Sequence, residues 1–290
     1  MGKLWKHLGV LSLAALASGD SSQGSSSVSC TNAKCTITMS DGSKFIGARD
    51  GDIVSFRGLR YAEPPTGNNR WKAPVMRDSY GGASLDLRGW GPGCQTNMAD
   101  ARMANNRDNL FGRKNREGDE SEDCLMVNII TKKSAMQGEN LPIVYYIHGG
   151  AFNGGTNHGD FESMVAEQNV MVISIGYRLG LYGFLYLPET ESGQTYNGNW
   201  GLLDQNMAMQ WGNKFASHFG GDNTKRTLTG CSAGSESIWW HLTADISWPF
   251  FDRAVSLGIG LNSEHSAELG TVRISFCSQF LIFLRNNFIR

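Results

Sequence analysis

Five stretches of the chain carry the residue types of β-strands: Ile53 to Tyr61, Leu125 to Ile130, Ile143 to Ile147, Val170 to Ile175 and Arg226 to Thr229. They are rich in β-branched, leucine and tyrosine residues. Ile143 to Ile147, Val170 to Ile175 and Arg226 to Thr229 are read as nearly continuous apolar runs, the pattern of strands covered on both faces by helices. Between the last two stretches the period changes. Leu203, Met207, Trp211, Phe215 and Phe219 recur every fourth residue, which predicts one apolar face of a helix ended by Gly220-Gly221. Strand, helix and strand in that order form a βαβ crossover, so the expected architecture is an α/β fold with a largely parallel central sheet and flanking helices.

The two ends of the chain read differently. Lys3, Lys6 and His7 precede an apolar run from Leu8 to Ala17 that finishes in Ala15-Leu16-Ala17. This is the charge, apolar run and small-residue order of a secretory signal peptide, and the run is too short to span a bilayer. An interfacial amphipathic helix is the alternative reading. Expected boundaries are a signal peptide over 1–17, a Ser/Gly-rich leader over 18–29, the main domain over 30–272 and a divergent tail over 273–290. The tail carries an apolar stretch, Ile274 to Leu284, also too short for a membrane span. It is left open as a strand or helix of the fold, or a terminus foreign to it.

Composition narrows the class. The 290 residues are 40% hydrophobic and 18% charged, which excludes disorder as the main state. A formal net charge of -1 gives no electrostatic reason for a nucleic acid or an anionic membrane as partner. Secretion places the six cysteines in a disulfide-permissive compartment. Cys30 and Cys35 bracket a short loop that a disulfide could close, and a metal site there lacks two further ligands.

Two motifs carry chemistry. Gly230-Cys231-Ser232-Ala233-Gly234 follows the strand Arg226 to Thr229 and precedes a helix-compatible run, Ser235 to Leu242. A serine between two glycines on a sharp strand-to-helix turn is a nucleophile elbow. The turn exposes the Ser232 hydroxyl on strained backbone, and side chains two residues to either side would collide. The second motif, Tyr146-Ile147-His148-Gly149-Gly150-Ala151-Phe152, ends a strand. Acyl transfer builds negative charge on a carbonyl oxygen, and losing one backbone donor to it costs roughly 3–4 kcal/mol of transition-state stabilisation. Gly150 and Ala151 are the expected oxyanion donors of this loop, with Ala233 as the third.

Further segments mark a resemblance. Phe56-Arg57-Gly58-Leu59-Arg60-Tyr61-Ala62-Glu63-Pro64-Pro65, Ser121-Glu122-Asp123-Cys124-Leu125 and Tyr177-Arg178-Leu179-Gly180-Leu181-Tyr182-Gly183-Phe184 resemble signatures of the type-B carboxylesterases, the cholinesterase-like α/β-hydrolases. Gly198-Asn199-Trp200-Gly201-Leu202-Leu203-Asp204-Gln205 and Phe219-Gly220-Gly221-Asp222 match as well, all in the family's order from about residue 45 to about 257. The resemblance implies an α/β-hydrolase fold, here incomplete at its C-terminal end. It also implies a disulfide between Cys94 and Cys124, with two free buried cysteines as the alternative. The implied function is hydrolysis of carboxylic esters through an acyl-enzyme on Ser232, with a small-molecule ester as partner and no metal or organic cofactor.

Three departures qualify it. Cys231 stands where the family usually has Glu beside the nucleophile. The loop from Cys94 to Cys124 has no Trp or Tyr and carries Arg102, Arg107, Arg113, Lys114 and Arg116, which argues for general carboxylic esters over choline esters. Only His241 and His265 follow Ser232, and neither matches the family's catalytic His, which together with the acid is expected to be missing. A non-catalytic adhesion or scaffold protein, or an inactive truncated product, is therefore the alternative function.

Overall fold

The computed structural model describes residues 26–96, 120–186, 198–258 and 281–284. The signal segment, the basic stretch of the Cys94–Cys124 loop, His265 and most of the tail lie outside the described residues. The chain first builds antiparallel strands: β1 (Ser27–Cys30), β2 (Lys34–Thr38), β3 (Lys44–Asp50) and β4 (Ile53–Arg60). Their connections are only two to five residues long, which suffices for hairpins and is far too short for parallel crossovers. β5 (Ser84–Asp86) adds to β3, and β6 (Met126–Lys132) pairs antiparallel with β4. β1 begins inside the segment expected as a leader, because the Ser27–Cys30 backbone pairs with β2 residue by residue.

The parallel part occupies the centre. β7 (Leu141–Ile147) lies between β8 (Met171–Ile175) and β9 (Gly221–Cys231), parallel to both, and β10 (Arg253–Leu257) continues the parallel run beyond β9. Among the described residues the sheet order is β1-β2-β3-β4-β6-β8-β7-β9-β10-β11, where β11 is Leu281–Leu284 and runs antiparallel to β10. So four residues of the tail, at least, join the fold as a strand. Every residue of β8 is buried, as its apolar run predicts.

Helices α1 (Glu162–Gln168), α2 (Gly180–Phe184), α3 (Trp200–Phe215) and α4 (Ala233–Thr243) connect the central strands. The helix predicted over Leu203 to Phe219 starts three residues earlier, and its last turn tightens to a 3-10 turn, Ala216–Phe219, before Gly220 at φ 88°. Its buried face also differs from the apolar stripe. Trp211, Phe215 and Phe219 are buried, but Leu203 and Met207 are only partly so, while Asp204 and Gln205 are fully buried. The reason is polar pairing. Asp204 takes the Arg178 guanidinium at 2.7 and 2.8 Å, and that pair pins the loop after β8 to α3.

The core between sheet and helices is aromatic. Phe219 stacks on Phe45 at 5.9 Å and meets Phe56 edge-on at 5.0 Å, and Trp211 donates its indole N–H to Tyr80 at 3.0 Å. Two disulfides, Cys30–Cys35 and Cys94–Cys124, lie at the N-terminal edge and beside the central strands. Closing a loop of the second one's span is worth roughly 3–4 kcal/mol in the chain-entropy picture. Among the described residues no helix is long and apolar enough to cross a membrane.

Candidate active site

The C-terminal ends of β7 and β9 bring the two glycine motifs into contact. β9 runs into α4 with one residue between them, Ser232, whose backbone sits at φ 56°, ψ -121°. A non-glycine residue at positive φ is strained by about 1–3 kcal/mol, and such strain persists only where the surroundings hold it. Here they do. A Cβ on Gly230 would fall 2.6 Å from Gly234 backbone atoms, and one on Gly234 would fall 2.1 Å from the Ile147 carbonyl oxygen. Both elbow glycines are thus compelled by close packing of β9, α4 and the end of β7.

The loop after β7 meets the elbow just as tightly. A Cβ on Gly149 would stand 2.5 Å from the Cys231 carbonyl oxygen and 3.0 Å from Ser232 Cβ. Gly150 has φ 124°, and Ala151 and Phe152 follow in the left-handed region at φ 53° and 57°. Two successive non-glycine residues there turn the chain sharply. The turn is closed by the amides of Asn153 and Gly154, both donating to the Gly150 carbonyl at 3.1 and 3.0 Å. Phe152 anchors it by packing on Phe184 at 5.0 Å, while its carbonyl accepts from the Gly180 amide at 2.7 Å.

Consequently the groups that face outward at this junction are few. Ser232 and Ala151 are exposed and Gly150 is half-buried. Among the described residues the Ser232 hydroxyl makes no hydrogen bond, and no backbone bond uses the N–H of Gly150 or Ala151. Ala233 opens α4, so its N–H has no acceptor within the helix. Gly149, the neighbour of Gly150, packs against Ser232, so the loop after β7 and the elbow share one junction at which these amides and the hydroxyl are unspent.

His148 and His241 are both committed to other partners. His148 is buried, its Nδ1 lies 2.8 Å from the Gly149 carbonyl oxygen, and its ring stacks on Tyr177 at 4.4 Å. His241 is buried with both ring nitrogens bonded, Nδ1 to Ser247 Oγ at 2.8 Å and Nε2 to Gln205 Oε1 at 2.9 Å. Burial lowers both rings to a pKa of about 4, so both are neutral at pH 7. Glu236, one helical turn beyond Ser232, has its carboxyl pKa raised by burial. Cys231 is a free thiol and is half-buried. Among the described residues no group of His, Cys, Asp and Glu side chains has the make-up of a metal site.

Glycine packing could be anticipated from the motifs, and the strained turn with it. The saturation of His241 could not, because its partner Gln205 lies on another helix. The one local signal was the placement of His241 nine residues after Ser232, on the face that α4 turns inward.

The fold and sequence resemble those of known proteins. A thermophilic pNB esterase superposes with a TM-score of 0.65 and 32% identity over 76% of this chain and 43% of its own. A carboxylesterase of Geobacillus stearothermophilus gives 0.61 and 27% over 73% and 40%. Among curated relatives, fumonisin B1 esterase of Sphingopyxis macrogoltabida is 33% identical over 73% of this chain and 38% of its own length. Acetylcholinesterase 1 of Caenorhabditis elegans is 31% identical over 76% and 35%. The chain therefore spans well under half the length of these relatives, on the α/β-hydrolase fold of the solved esterases. The carboxylesterase family model matches residues 41–267, and the chain belongs to the carboxylesterase family.

Proposed function

We propose that the protein cleaves small carboxylic esters, with Ser232 as nucleophile and the amides of Gly150, Ala151 and Ala233 as the oxyanion hole. The observation that carries this reading is the close approach of Gly149 to Ser232, which supports an oxyanion hole drawn from the unspent amides of the loop after β7 and of the first residue of α4. Ser232 Oγ attacks the ester carbonyl carbon and gives its proton to a base. The carbonyl oxygen takes the negative charge, and the three amides meet it without reorganising. Collapse expels the alcohol, which takes a proton, and water then releases the acid from the acyl-serine. Membership of the family supports the reaction class, and the substrate's acyl and alcohol groups stay at the level of carboxylic esters.

Neither His148 nor His241 is placed to serve as that base. His241 has both nitrogens engaged and His148 is buried against Tyr177. Without a base, oxyanion hole and binding alone leave roughly 10³–10⁴ over water. This gives the second reading, a hydrolase-like protein that binds without turnover, its specific support in the lone hydroxyl of Ser232. Secretion is proposed with either reading, on the basic and apolar start of the chain and the two disulfides.

Turnover of a 4-nitrophenyl ester by the purified chain, beside Ser232→Ala, separates the two. Hydrolysis above the buffer rate that Ser232→Ala removes is the expected result. Equal rates for both proteins sink turnover by this chain and leave the binding reading.

A further inference from the structure

The polar groups behind α4 form one chain whose hydrogens can be assigned by elimination. Ser237 Oγ lies 3.0 Å from the Ala233 carbonyl, which only accepts, so the Ser237 hydroxyl donates there and its single proton is spent. Ser237 Oγ can then only accept from Gln205, 3.1 Å away, so Gln205 turns its amide NH₂ toward Ser237 and its Oε1 toward His241. An amide oxygen only accepts, hence His241 Nε2 carries the hydrogen. In a neutral ring Nδ1 is then the acceptor, and Ser247 donates to it at 2.8 Å. That spends the Ser247 proton, and Asn206 Nδ2 fills the remaining place on Ser247 Oγ at 3.0 Å. Each bond points the same way, from Asn206 through Ser247, His241, Gln205 and Ser237 to the Ala233 carbonyl.

We propose that His241, as the neutral Nε2–H tautomer in this one-way chain, is a positioning residue for the elbow. It acts through Gln205 and Ser237 on Ala233, the residue that follows Ser232 and opens α4. The carbonyl end of Ala233 is held by the hydroxyl of Ser237, while its N–H belongs to the peptide bond with Ser232, whose residue is exposed. All members from Gln205 to Ser247 are buried, and bonds in one direction polarise one another. Desolvation keeps the ring neutral, consistent with the assignment. The catalytic consequence rests on the reading of Ser232 given above, whereas the tautomer and the hold on Ala233 do not.

Nitrogen-15 NMR of the whole chain at pH 7 tests the tautomer, and Ser237→Ala with Ser237→Thr as the conservative rescue tests the transmission. The expected spectrum has His241 Nε2 protonated and Nδ1 bare. Ser237→Ala should move and broaden the Ala233 and Gly234 amides while β7 and β8 stay unchanged, and Ser237→Thr should restore them. Labelling of Ser232 by a fluorophosphonate should slow about tenfold in Ser237→Ala at unchanged reagent affinity. An Nδ1–H tautomer, or an Ala233 amide indifferent to Ser237→Ala, overturns the proposal. Absence of labelling in the parent chain defeats the catalytic reading instead, and the NMR arms still decide the positioning.

Discussion

The two ends of α4 have opposite chemistry. At its N-terminus the Ser232 hydroxyl and the first amides are left unspent, on backbone strained into the left-handed region. Two and a half turns later His241 is buried with both nitrogens bonded. Both residue types serve as catalytic groups in serine hydrolases, yet only the serine is presented to a substrate. The difference lies in where the packing stops. Glycine at 149 leaves room beside Ser232, and glycines at 230 and 234 let β9, α4 and the end of β7 pack closely beneath it, whereas Gln205 and Ser247 take both ring nitrogens of buried His241. A histidine close in sequence to a nucleophile is therefore no evidence of a dyad until its ring nitrogens are accounted for.

Acid strains the buried end hardest. A histidine whose ordinary value of about 6.5 falls to about 4 on folding is protonated in the unfolded chain first. Stability is then complete above pH 6.5 and falls as the pH drops from there to about 4, by roughly 3 kcal/mol for each of His148 and His241. Urea midpoints measured across that window should decline steadily, and His241→Gln should flatten the decline. A flat profile in the parent would contradict the burial of these rings.

Next in size is the exposed end. Gly234→Ala places a methyl 2.1 Å from the Ile147 carbonyl oxygen, so the elbow must open. The expected cost is about 3 kcal/mol in chemical denaturation, together with loss of any Ser232 reactivity. His241→Leu comes third. It leaves the Gln205 oxygen without its donor and the Ser247 proton without its acceptor, for about 2 kcal/mol, read from the same denaturation curves. Cys231→Ala should change least, since the thiol is free and only half-buried; Ser232 labelling should persist and stability shift by less than about 1 kcal/mol.

Much of this was legible in the sequence, for physical reasons that differ by region. β7, β8 and the elbow were readable because buried parallel strands are apolar runs and a tight turn must spend glycines. The pairing of Cys94 with Cys124 followed from family resemblance, and geometry now gives it as a bond. The hairpins β1 to β3 were not read as strands, because Lys44 to Asp50 mixes charged and apolar residues with no clean alternation. The apolar stripe on α3 was readable, but its buried polar side was not. Asp204 and Gln205 are inside only because Arg178 and His241 meet them from distant segments. The tail's strand was equally hidden, since pairing with β10 is what makes Leu281–Leu284 a strand.

The central claim is that Ser232 is the reactive group of this junction. Intact-mass measurement after treatment with a fluorophosphonate ester, on the folded chain beside Ser232→Ala and Cys231→Ala, tests it most directly. The account predicts a single adduct on the parent chain and on Cys231→Ala, and none on Ser232→Ala. No adduct on folded parent protein, or an adduct that survives Ser232→Ala, would contradict it.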